Sequence, residues 1–141
     1  MKGRKLEIIL TVASIALGLF FIYAGSKKVF FPHAPRGASP FTVPSEFIDL
    51  IKALKATGYF MIVVAWTQII SGLLLIWKKT RLLGALLLLP VSFQIFTIHL
   101  ALDNRVDEYI LTGVLFLINI LIILPYIGRL IITQNHPVAV R

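Results

Sequence analysis

His99 and Asp103 stand four residues apart at the close of an uncharged stretch, one helical turn from each other. At that spacing a carboxylate can orient an imidazole or stabilise its cationic form, and the pair can relay a proton at the edge of a bound molecule. The plainer alternative is a helix-end histidine hydrogen-bonded among lipid headgroups. Tyr23 and Lys28 close another uncharged stretch at the same level, where the lysine could meet a ligand carbonyl or an outer acid. Lys27 and Lys28 equally suit snorkelling toward water. Gln68, Gln94 and Asn119 lie about ten, eight and ten residues from the outer ends of their stretches, one layer slightly outward of the midplane. Such amides either bond across helices, contributing roughly 0.6 to 2 kcal/mol each, or line a small polar cavity. An amide donates to a carbonyl without bearing charge, which suits a neutral ligand such as a quinone head group.

Other chemistries find less support. The chain has no cysteine, which removes a disulfide framework, an iron–sulfur cluster and a thiol relay of its own. His33, His99 and His136 fall in separate segments, so no metal site is expected. The uncharged stretches hold no carboxylate for proton-driven transport. No glycine-rich phosphate loop or nucleophile elbow occurs.

The elements that must position these residues are four stretches without Asp, Glu, Lys or Arg. They run 8–26, 58–77, 82–102 and 109–128, and hold 19, 20, 21 and 20 residues. As helices each is about 30 Å long, the thickness of a hydrocarbon core. Of the 141 residues 58% are hydrophobic and 14% charged, and the mean hydropathy is +0.91. Soluble domains are nearer one quarter charged, so composition points to lipid as solvent. One all-α domain follows, a bundle of four transmembrane helices with the bilayer as first partner. The net charge of +8 sits in short clusters between apolar runs rather than on one solvated face, which argues against nucleic acid. Lys2, Arg4 and Lys5 before the first run fit a signal anchor, since Ile22-Tyr23-Ala24 lacks a small residue at the −3 position of a cleavage site.

Lys and Arg divide eight to six between the two sides, and Lys78, Lys79 and Arg81 crowd one tight turn. That turn would resist translocation, so both termini are expected in the cytoplasm. The only long connection spans Lys27 to Thr57. Pro32, Pro35, Pro40, Pro44 and Gly37 make its first half irregular. Ser45 reads as an N-cap with Glu46 and Asp49 in the first turn of a short helix, about 45–56. Phe47, Leu50, Ile51 and Leu54 form its apolar stripe, opposite Asp49 and Lys52, as in an interfacial anchor or a lid. Pro90 and Pro125 interrupt the third and fourth runs and can loosen packing into a pocket. Gly18 and Gly25, with Ala24, give the first run a smooth strip for close helix approach.

Gly18-x-x-Phe21-x-x-Ala24-Gly25-x-x-Lys28-x-Phe30 resembles the first-helix motif of the DoxX-like membrane proteins. Gln68-Ile69-Ile70-Ser71-Gly72-Leu73-Leu74-Leu75-Ile76, the Thr80-Arg81 turn and Gly84-Ala85 extend the likeness from Gly18 to about Leu102. At the position matching Gln68 that family commonly has glutamate, so this chain keeps the shape without the ionisable group. The resemblance implies a four-helix bundle of a bacterial inner membrane. It also implies an association with membrane redox complexes, such as thiosulfate:quinone oxidoreductase, or with protection from oxidative stress. The function expected is an accessory subunit of a quinone-linked redox or oxidative-stress system, more naturally an auxiliary than a stand-alone enzyme. A membrane or extracytoplasmic redox partner and a second copy of the chain are the protein partners this reading admits. Two alternatives stay open: a non-enzymatic scaffold or assembly factor that docks through the outer loop and the small-residue strip, and a binder or carrier of a small lipophilic ligand.

Overall fold

The computed structural model describes residues 2–31, 42–103 and 105–134, with side chains placed from 3 to 129 within those ranges. Among the described residues all regular structure is helical: α1 (Lys2–Phe30), α2 (Ser45–Ala56), α3 (Phe60–Ile76), α4 (Arg81–Leu102) and α5 (Val106–Gln134). Pro32, Pro35, Gly37, Pro40, His33 and His136 lie outside the described residues. α1, α4 and α5 are each long and apolar enough to cross a membrane. α3, at 17 residues, joins them as a fourth candidate only together with α2, from which it is bent by 91°.

That bend has a local cause. Gly58 takes φ +77, a conformation open to glycine and strained for side-chain-bearing residues. Beside it, the Thr57 hydroxyl donates to Leu54 O at 2.7 Å and accepts the Phe60 amide at 3.2 Å, ending one helix and starting the next. The expected run from 58 is therefore shortened, because Gly58 and Tyr59 form the corner. At the other end of α2, Pro44 with φ −59 and ψ 145 occupies the N-cap position expected for Ser45. Ser45 is instead the first helical residue, and its hydroxyl donates to the Glu46 carboxylate at 3.2 Å. Asp49 falls beyond the first turn and pairs with Lys52 at 3.9 Å on the exposed side. The α2 stripe is as expected: Phe47 is buried, and Leu50, Ile51 and Leu54 are half-buried against the bundle.

α1, α3, α4 and α5 close into a ring, each packed on two neighbours. Glycine sets the closest approaches. A Cβ on Gly18 would stand 2.6 Å from the Gly72 carbonyl oxygen, and a Cβ on Gly72 would stand 2.6 Å from that of Gly18. One on Gly25 would meet Ala65 O at 2.6 Å, and one on Gly84 would meet Ser71 O at 2.8 Å. The small-residue strip of α1 is therefore consumed inside the bundle by α3. Leu17, Phe21, Leu75, Leu88 and Ile122 fill the centre. Large apolar residues such as Val12, Leu19, Leu83, Leu117 and Leu121 face outward, the inverse of a water-soluble surface.

One end of the ring is fixed by charge. Glu7 on α1 pairs with Lys78 at 3.1 Å and Arg81 at 3.7 Å. Arg81 is fully buried, and its guanidinium donates to Thr11 Oγ1 at 3.0 Å. The start of α1 and the α3–α4 turn therefore share an end of the molecule, as the distribution of basic residues requires.

Candidate ligand cavity

At the opposite end, Asp103 leaves the helical conformation (φ −121, ψ 111) and stops α4. Its side chain is buried and is met by two others, Arg105 and His99, and by the Arg105 backbone amide, which donates to Oδ1 at 3.3 Å. Arg105 donates through Nε to Oδ1 at 2.8 Å and through a terminal nitrogen to Oδ2 at 2.6 Å, the bidentate geometry of a strong ion pair. His99 Nδ1 lies 2.7 Å from Oδ2. The Arg105 hydrogen bonds hold the Asp103 carboxyl down at about 2, against the opposing effect of burial and with help from His99. Asp103 in turn pushes the Arg105 guanidinium further up. An ionised carboxylate only accepts, so Nδ1 carries the hydrogen and His99 keeps Nε2 for a ligand.

α2 covers this cluster with its buried residue. The Phe47 ring lies 5.1 Å from the His99 ring, and the Arg105 guanidinium stands 5.5 Å from the centre of the same phenyl face. Burial of Phe47 and the cation–π contact tie α2 over the junction between α4 and α5.

Below the cluster lies an inner chamber of about 200 Å³, walled by Phe21, Ile95 and Leu115 and edged by Lys28, Gln68 and His99. Lys28 Nζ donates to Gln68 Oε1 at 2.8 Å and lies 3.4 Å from Ala24 O. A lysine ammonium cannot accept, so the amide oxygen must face it and the amide nitrogen is turned away. Gln68 is fully buried, and its Nε2 has no partner among the described residues. Gln68 thus sets a buried donor with an unmet hydrogen bond just behind the wall of a partly open space. An unmet buried donor costs about 1–3 kcal/mol, which a ligand carbonyl accepting from Nε2 would recover.

Lys28, Ile95, His99 and Glu108 also border a second, larger space of about 740 Å³. This groove runs beneath α2 between α3 and α4, lined by Ile51, Leu54, Val64, Pro90 and Gln94. The inner chamber is bordered by one basic side chain, Lys28, and one acidic side chain, Glu108, so it carries no excess of one sign that would call for a charged guest.

The residues singled out in the sequence are thus divided among distinct places. Lys28, Gln68 and His99 meet at the chamber, with Asp103 behind His99. Gln94 is exposed and borders only the groove. Asn119 is buried outside both spaces, donating to Ala85 O at 3.2 Å and to Ser92 Oγ at 3.3 Å, and so fastens α5 to α4. The three amides do not enclose one cavity. Tyr23 is 61% exposed on the outer face of α1, where Lys27 Nζ lies 5.3 Å from its ring centre, and it borders neither space. Arg105 and Glu108 are site residues that spacing did not single out, and Phe47 was expected only as part of the α2 stripe; the acid–base pair Asp103-x-Arg105 at a helix break was the available signal. Among the described residues no three His, Cys, Asp or Glu side chains gather as a metal site. No family model, curated protein or solved structure matches the chain.

Proposed function

We propose that the chain is a four-span membrane protein that holds a lipophilic carbonyl compound of the quinone class, as an accessory subunit of a redox or oxidative-stress system in a bacterial inner membrane. α3 supplies the fourth span, with α2 bent away from it along the outer surface and both termini in the cytoplasm. The DoxX-like resemblance of residues 18–102 and the crowding of Lys78, Lys79 and Arg81 support that placement.

The observation that carries the reading is the buried, unpartnered Gln68 Nε2 beside Lys28 at the edge of the chamber. These two donors would receive a head-group carbonyl, and the apolar groove would take the tail. His99, oriented by Asp103, would donate or accept a proton as the head is reduced or reoxidised. With no cysteine in the chain, the electrons would come from a partner protein or a diffusible reductant. The scaffold alternative loses one of its surfaces, because Gly18 and Gly25 already face α3.

The test is purification in mild detergent with mass spectrometry of co-extracted lipids. A quinone should accompany the wild-type protein, and added quinone should raise its unfolding temperature. Gln68→Leu should abolish both effects; it removes an unmet buried donor but also the acceptor of Lys28, so the unliganded variant should unfold at or somewhat below the wild-type temperature. A wild-type preparation without quinone and without a quinone-dependent shift would overturn the proposal.

A further inference from the structure

The chamber and the groove differ in what they can admit, and the difference bears on the head group. A cavity of about 150 Å³ holds one benzene ring. At about 200 Å³, the chamber accommodates one six-membered ring with small substituents. A second fused ring adds four carbons in the same plane. When the tail leaves through the open, groove side, that second ring lies on the opposite edge of the head and meets the inner walls. There Phe21 belongs to the buried core, Leu115 packs against it, and neither borders the groove. Interiors at crystal-like packing density resist such expansion, and overpacking costs about 1–3 kcal/mol. The groove imposes no comparable limit on a tail, which would leave the chamber past Ile95 and His99, the residues common to both spaces.

We infer that the chamber selects a lipophilic carbonyl compound whose head is a single six-membered ring and rejects one with two fused rings. This rests on the head-binding reading above and specifies the substrate class of the same site. Leu115 acts as the wall that sets the limit.

The experiment compares a benzoquinone and a naphthoquinone bearing the same saturated alkyl tail. Binding to the full chain in nanodiscs of quinone-free lipid is measured by native mass spectrometry, with partition into empty nanodiscs subtracted. The one-ring compound should bind about tenfold or more tightly than the two-ring compound, the scale on which an apolar pocket discriminates added carbon. Leu115→Ala, which enlarges the chamber, should strengthen two-ring binding and narrow that ratio. Equal or tighter two-ring binding by the wild type would overturn the inference while leaving head-group binding intact, as would a ratio unchanged in Leu115→Ala. Binding of neither compound above partition would overturn the head-binding reading, and this inference with it.

Discussion

Gly72→Ala is expected to destabilise the bundle by about 2–3 kcal/mol, the upper part of the range for overpacking, although the same exchange ordinarily stabilises a helix by about 1 kcal/mol. The sign reverses because the new methyl would lie 2.6 Å from the Gly18 carbonyl oxygen, 2.8 Å from Ile22 Cγ1 and 3.2 Å from the Ile22 amide nitrogen. Two of those three atoms are backbone and cannot rotate away, so α1 and α3 must move apart along their whole contact. In lipid that contact depends on close packing, since lipid tails are as apolar as the side chains they replace. Gly128→Ala is the internal control. Nothing lies within 4 Å of its added methyl, so helix propensity should dominate and stability should hold or rise slightly. Denaturant-induced unfolding in detergent, followed by circular dichroism, measures both variants. A Gly72→Ala protein as stable as the wild type would mean that α1 and α3 are not in this contact.

The glycine strip was legible in the sequence, and so was one consequence that spacing alone left unused. Successive helical residues turn by about 100°, so positions two apart point about 200° away from each other. Gly25 faces Ala65, which turns Tyr23 outward. Ser92 faces Asn119, which turns Gln94 away from the centre and into the groove. Spacing along a helix sets an amide's height on that helix, yet height does not determine face. The pairing of Lys28 with Gln68 could not be read at all, because it joins residues forty positions apart and depends on the antiparallel register of α1 and α3. His99 and Asp103 were legible because a helix imposes that neighbourhood whatever surrounds it. Arg105 was hidden for the opposite reason: it reaches Asp103 across a helix break, where no periodicity operates.

That hidden residue governs the second large effect. Asp103→Ala should cost about 3–5 kcal/mol, because it leaves a guanidinium buried without its counter-charge. Arg105 is only 5% exposed, and its remaining acid, Glu108, stands 3.5 Å away and is partly solvated. In a chain of this length that loss corresponds to about 10 °C or more in the unfolding midpoint. Arg105→Leu in the same background should restore much of it, since an apolar replacement for a buried ion pair is often close to neutral. Recovery in the double variant would assign the loss to the stranded charge rather than to the missing carboxylate packing. Acid titration supplies an independent check. The folded-state pKa of Asp103, about 2, lies below its ordinary value of 3.8, so its contribution is complete above about pH 4 and is lost as pH falls toward 2. Wild-type stability should therefore decline more steeply through that window than that of the double variant, which has no such group to protonate. Equal slopes would show that Asp103 is not held ionised by Arg105, and the orientation of His99 by a permanent carboxylate would fall with it.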